Sequence, residues 1–115
     1  MTLFLSAISG FLAVALGAFG AHALAEGFDP KQRGWWDTAT LYLLVHAALA
    51  AALTASHSVR FGLAAMILLG GAVVFSATLY AMAVGAPRWL GAVTPLGGLG
   101  MLAGWGLLAW SALRG

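Results

Sequence analysis

Residues 38–59 read TATLYLLVHAALAAALTASHSV, and residues 61–87 read FGLAAMILLGGAVVFSATLYAMAVGAP. Only Arg60 separates these two uncharged stretches. Each exceeds the roughly 20 residues that a helix needs to cross a hydrocarbon core of about 30 Å. The same reading extends outward. Residues 1–25 and 89–113 carry no charge either, because every charged residue falls at 26–37 or alone at Arg60, Arg88 or Arg114. Four spans in 115 residues leave almost nothing outside a bilayer.

Composition agrees. The chain is 63% hydrophobic and 7% charged, against a charged share of about 25% in soluble domains. Such a composition has no polar surface to show water. The expected class is all-α, an integral membrane four-helix bundle with short loops. It forms one domain and is expected to cross a membrane several times. Five basic residues scattered among loops make nucleic acid an unsuitable partner. The absence of cysteine removes disulfides, thiolate metal sites and thiol catalysis. Ala21-His22-Ala23 has the form of a signal-peptide cleavage site, but no positive n-region precedes it. The first segment therefore reads as a retained helix.

The expected helices cover 3–24, 36–57, 61–84 and 95–113, with a loop over 25–34 built around Asp29-Pro30. Thr94-Pro95 reads as a hydroxyl N-cap followed by proline at the first helical position. Four crossings put both termini and the link near residues 57–60 on one side, called side A. The 25–34 loop and the loop around Arg88 lie on side B. Lys31, Arg33 and Arg88 on side B outnumber Arg60 and Arg114 on side A, which orients side B to the cytoplasm. Trp35, Trp36 and Trp89 read as an interfacial belt on side B, and Trp110 marks side A.

Sixteen glycines supply close-packing candidates. Gly17 and Gly20 lie in helix one. Gly97, Gly98, Gly100 and Gly104 lie in helix four, where Gly100 and Gly104 form a GxxxG. Lipid offers no hydrophobic drive between helices, so small residues that admit close backbone approach hold bundles together. The same residues could serve a homo-oligomer face.

No carboxylate, lysine or arginine falls within a span, which argues against an ion-coupled pump. The polar residues inside are milder. Tyr42/His46 and Ser76/Tyr80 are i,i+4 pairs, each on one helix face. With Thr38 they outline a candidate ligand pocket open to side B, with His22 and Asp37 near its mouth. The competing reading is that these groups only bond across helices. In a medium without partners, Tyr42, His46, Ser76 and Tyr80 should all point inward. His46 should be neutral and donate to a neutral acceptor. Three histidines at three depths make a poor site for haem or metal, so neither a cofactor nor a metal is expected. No catalytic constellation is readable, and no enzyme is expected.

Several motifs taken together resemble the YgdD-like family. They are Gly17-Ala-Phe-Gly-Ala-His22, Gly34-Trp35 followed by Thr38, Tyr42 and His46, Phe75-Ser76 with Leu79-Tyr80, and Thr94-Pro95-Leu-Gly97-Gly98 with Ala103-Gly104-Trp105. This is a family of small bacterial inner-membrane proteins of unknown function with animal mitochondrial relatives. Ala77-Thr78 departs from the Gly-Ser that the family often has there. The resemblance implies a four-helix membrane protein and brings no activity with it. Two functions stay open. One is a non-enzymatic accessory or assembly module packing a membrane-protein partner or a second copy. The other is a small-molecule, lipid or proton binding or permeation protein using the polar pocket.

Overall fold

The structure is a computed structural model of all 115 residues. It describes every residue except Ala25, with the side chains of Ala23 and Leu24 also outside the description. The expected loop start at residue 25 therefore lies outside the described residues. Four long helices follow one another: α1 (Thr2–Phe19), α2 (Pro30–Ala55), α3 (Val59–Ala83) and α4 (Thr94–Arg114). All are long and apolar enough to cross a membrane. A π-helical turn, Gly20–Leu24, continues α1, and a short 3-10 turn, Arg88–Ala92, precedes α4.

The fold is a four-helix bundle, and it is open. Among the described residues α2 packs on α1 and α3, and α3 packs on α4, whereas α1 touches α3 only lightly and α4 not at all. The central helix is α3. Its alanines Ala64, Ala65, Ala72 and Ala83 are wholly buried, with Leu68 between them. Small residues at these positions let neighbouring backbones close in without a hydrophobic drive.

The α3–α4 seam is the tightest. A methyl group on Gly71 would meet the amide nitrogen of Met101 at 2.6 Å and the carbonyl oxygen of Gly97 at 2.8 Å. Gly97 in turn lies against the backbone of Phe75. A methyl on Gly104 would strike the Leu68 side chain at 2.6 Å. Across the α1–α2 seam, Gly17 faces Thr40, and Gly20 accepts the Trp36 ring. Gly98 faces open space.

Helix α2 starts at Pro30, six residues before the expected Trp36. Its first turn is closed by a capping box. Asp29 accepts from the Gln32 amide at 2.8 Å, and the Gln32 side chain accepts from the Asp29 amide at 2.9 Å. Proline at the first helical position fits, since its missing N–H has no intrahelical acceptor there. Gln32 also donates to the carbonyl of Ala83 at 3.1 Å, pinning the α2 start to the α3 end. Thr94 does not cap α4. The N-cap is Val93, without a side-chain bond, and the Thr94 hydroxyl is instead bonded to that of Thr78 on α3.

Trp36 corrects the expected aromatic belt. It is 5% exposed and sits inside the α1–α2–α3 junction, while Trp89 is 67% exposed. The link from α2 to α3 turns on His57, whose φ of 57° is left-handed without being glycine.

Candidate functional site

The polar residues expected in one pocket fall into two groups on different seams. The first group joins α1, α2 and α3. The Trp36 indole N–H donates to the carbonyl of Leu16 at 2.8 Å. Its ring fills the notch at Gly20 and meets Tyr80 edge-on, 4.6 Å between centroids. The Tyr80 hydroxyl shares a 2.7 Å hydrogen bond with that of Thr40. One turn deeper, Ser76 donates to the carbonyl of Ala39 at 2.9 Å. Ser76 and Tyr80 therefore share a face, as i,i+4 spacing requires, and that face looks at Ala39 and Thr40.

The second group joins α2, α3 and α4. His46 is 5% exposed. Its Nδ1 bonds the carbonyl of Tyr42 at 2.7 Å, and its Nε2 accepts from the indole N–H of Trp105 at 3.1 Å. A carbonyl only accepts and an indole only donates. The ring is therefore the neutral Nδ1–H tautomer, with both nitrogens satisfied. The acceptor is a carbonyl of its own helix, one turn back.

Tyr42 departs from expectation. It is 39% exposed, with its ring stacked at 6.0 Å on His46 and packed at 4.8 Å against Phe75. With Pro95, Gly98, Leu99, Leu102 and Trp105 these residues line a groove of about 540 Å³ between α2 and α4. Thr38, Ser76 and Tyr80 do not line it.

His22 is exposed in the π-helical turn. Asp37 is exposed beside Arg33, Phe28 and Gly20, on the α1 side of α2. Neither stands at the mouth of the His46 groove. Among the described residues no three His, Asp or Glu side chains converge.

Residues outside the expected pocket complete the network. Thr78 and Thr94 share a 2.7 Å hydrogen bond between hydroxyls and tie α3 to α4. Each also donates to or bridges carbonyls nearby, Phe75 at 2.9 Å for Thr78 and Leu90 at 3.2 Å for Thr94. Trp105, Trp36, Thr40 and Gln32 supply the other ties. The signal for Trp105 was its place: an indole N–H in mid-span needs an acceptor from the protein. Among the described residues, the only fully enclosed side-chain polar atom without a partner is Oγ1 of Thr54.

Four spanning helices, two polar seams sealed by internal bonds and loops of a few residues define a small multi-pass integral membrane protein. The chain belongs to the family described as Protein of unknown function (DUF423), which matches residues 16–98. It is 40% identical to the UPF0382 inner membrane protein YgdD of Escherichia coli strain K12, over 97% of this chain and 88% of that protein. It is 41% identical to a UPF0382 membrane protein of Haemophilus influenzae, over 96% of this chain and 91% of that one. A UPF0382 membrane protein of Staphylococcus epidermidis is 34% identical over 96% of this chain and 93% of its own length. No solved structure matches. The protein is thus an inner-membrane protein of a family without an assigned activity.

Proposed function

We propose that this protein is a non-enzymatic accessory or assembly module, whose outer helix faces receive a membrane-spanning helix of another chain. One observation carries the reading. Most inward polar side chains, His46, Ser76, Thr78 and Thr94 among them, are spent on ties between helices, while the bundle is left open along α1. Bonds run from α2 to α1, α3 and α4 and from α3 to α4. A catalytic or transport site would need some of those groups free for substrate. Helix α1 is held to the bundle mainly by α2. Phe4, Phe11 and Val14 face outward, at 61%, 70% and 61% exposure. Beside it runs a groove of about 520 Å³ between α1 and α3, lined by Leu5, Ile8, Met66, Leu69, Gly70 and Val73. Its ridges and its glycine notch are the features that helix packing uses.

The chain has no cysteine, so single-cysteine variants give clean crosslinks in native membranes. Ile8→Cys and Val73→Cys, on the two walls of the groove, are expected to form a discrete crosslinked product. Leu41→Cys, exposed on α2 and lining neither groove, is expected to form none. Absence of product at both groove positions, or equal product at Leu41, would remove this reading.

A further inference from the structure

Side A carries Arg60 and Arg114 and none of the three acidic side chains, since Glu26, Asp29 and Asp37 belong to the opposite end. Arg60 lies in the first turn of α3 and Arg114 closes α4. These helices are antiparallel, and the glycine contacts at Gly71, Gly97 and Gly104 hold their backbones together. Their ends therefore meet. With Leu107, Trp110 and Ser111, the two arginines line a cavity of about 390 Å³.

Each guanidinium leans over an aromatic neighbour, Arg60 over Phe61 and Arg114 over Trp110, both at 5.7 Å. The backbone of Gly115 lies against Arg60. Among the described residues no acidic side chain pairs with either arginine. Two guanidiniums lining one cavity attract an anion to it.

Ser111 supplies an independent observation. It is 9% exposed and lines the same cavity. Ser6 and Thr78 bond the carbonyl four residues back, at 2.8 Å and 3.1 Å. Among the described residues, the Ser111 hydroxyl has no partner within the protein. That hydroxyl opens onto the cavity that the two arginines line, free to donate to an anion there.

We propose that Arg60, Ser111 and Arg114 bind a phosphate group, supplied by the head group of an anionic phospholipid. Guanidinium forks match phosphate oxygens. Basic pockets between spanning helices hold anionic head groups on the cytoplasmic side of membranes, and the same guanidinium–phosphate chemistry is offered here on side A. Leu107 and Trp110 form the apolar wall along which the rest of the lipid runs, and Trp110 sits at the level where aromatic anchors gather. The site is independent of the groove beside α1.

The test is retention of phosphatidylglycerol against phosphatidylcholine by the detergent-purified protein from an equimolar mixture, read by native mass spectrometry. The wild type is expected to prefer phosphatidylglycerol. The preference should fall about fivefold for Arg60→Gln or Arg114→Gln and vanish in the double variant. Ser111→Ala, which removes only a hydroxyl, should weaken it as well and serves if the double variant fails to fold. Lys31→Gln/Arg88→Gln at the other end should leave it unchanged. No preference in the wild type, or equal loss from the Lys31/Arg88 pair, would overturn the site. A parallel arm adds inorganic phosphate to protein in phosphatidylcholine nanodiscs and reads thermal stability. Stabilisation there, abolished by the double arginine variant, would overturn the lipid source in favour of free phosphate.

Discussion

The indole N–H of Trp105 donates to Nε2 of His46 at 3.1 Å, and this bond spans two helices whose backbones do not touch. Helix α3 holds α4, and Trp105 reaches past it to α2. The two rings meet edge-on at 79° with centroids 6.0 Å apart. Because Nδ1 is already committed to the Tyr42 carbonyl, the imidazole is locked in rotamer and tautomer. It is a strut between helices, with no nitrogen left for a ligand.

A double-mutant cycle measures that strut. Trp105→Phe keeps a ring and removes the donor, and His46→Phe removes the acceptor. Their destabilisations should be non-additive by about 0.6 kcal/mol, the mean for interhelical bonds in membranes, and by no more than about 1.7 kcal/mol. Unfolding in mixed micelles gives the numbers. Strict additivity would mean that the bond contributes nothing.

Two adjacent glycines should behave oppositely. Gly71 faces backbone atoms of Met101 and Gly97 within 3 Å of an added methyl, whereas Gly70 has nothing within 4 Å. Gly71→Ala must push α4 away and should cost about 2 kcal/mol or more, as overpacking does. Gly70→Ala should stabilise by about 0.4 to 1 kcal/mol through helix propensity and chain entropy. Gly97 and Gly98 should repeat the contrast. Thermal midpoints in detergent check all four.

His57 holds a left-handed φ of 57° at the exit of α2. A Cβ in that region costs roughly 1 to 2 kcal/mol. His57→Gly should therefore raise the melting temperature and leave the spans in place. A fall would indicate that the imidazole makes a contact that outweighs the strain.

The capping box at the start of α2 is equally accessible. Asp29→Ala should cost about 1 kcal/mol. Gln32→Ala should cost more than the cap alone, because Gln32 also holds the Ala83 carbonyl. Equal losses would mean that the bond to α3 is unimportant.

The four spans were legible because charge is confined to the ends, and the family resemblance was legible in its motifs. The seams were less so. An i,i+4 pair defines a face but does not say which neighbour the face meets. Thr40 and Tyr42 stand two residues apart, about 200° around the helix. Tyr80 therefore meets Thr40 on one side, while Tyr42 and His46 look toward Trp105 on the other. Gly71 stayed hidden because Gly70-Gly71 offers no small-xxx-small spacing like that of Gly100 and Gly104, though its methyl-sized gap decides the α3–α4 approach. Asp29-Pro30-Lys31-Gln32 did carry the signature of a helix start. The polar character of the segment made it read as loop. Trp36 lies among charged residues and so reads as an interface anchor, while the notch at Gly20 draws it inside.

The most direct measurement is native mass spectrometry of wild type and His46→Phe purified in mild detergent, with thermal stability recorded alongside. If His46 is a strut in a packing module, the wild type carries no bound small molecule that the variant lacks. The variant then keeps its copy number and melts lower. A wild-type mass that includes a small molecule, absent from a His46→Phe protein of unchanged stability, would contradict the account.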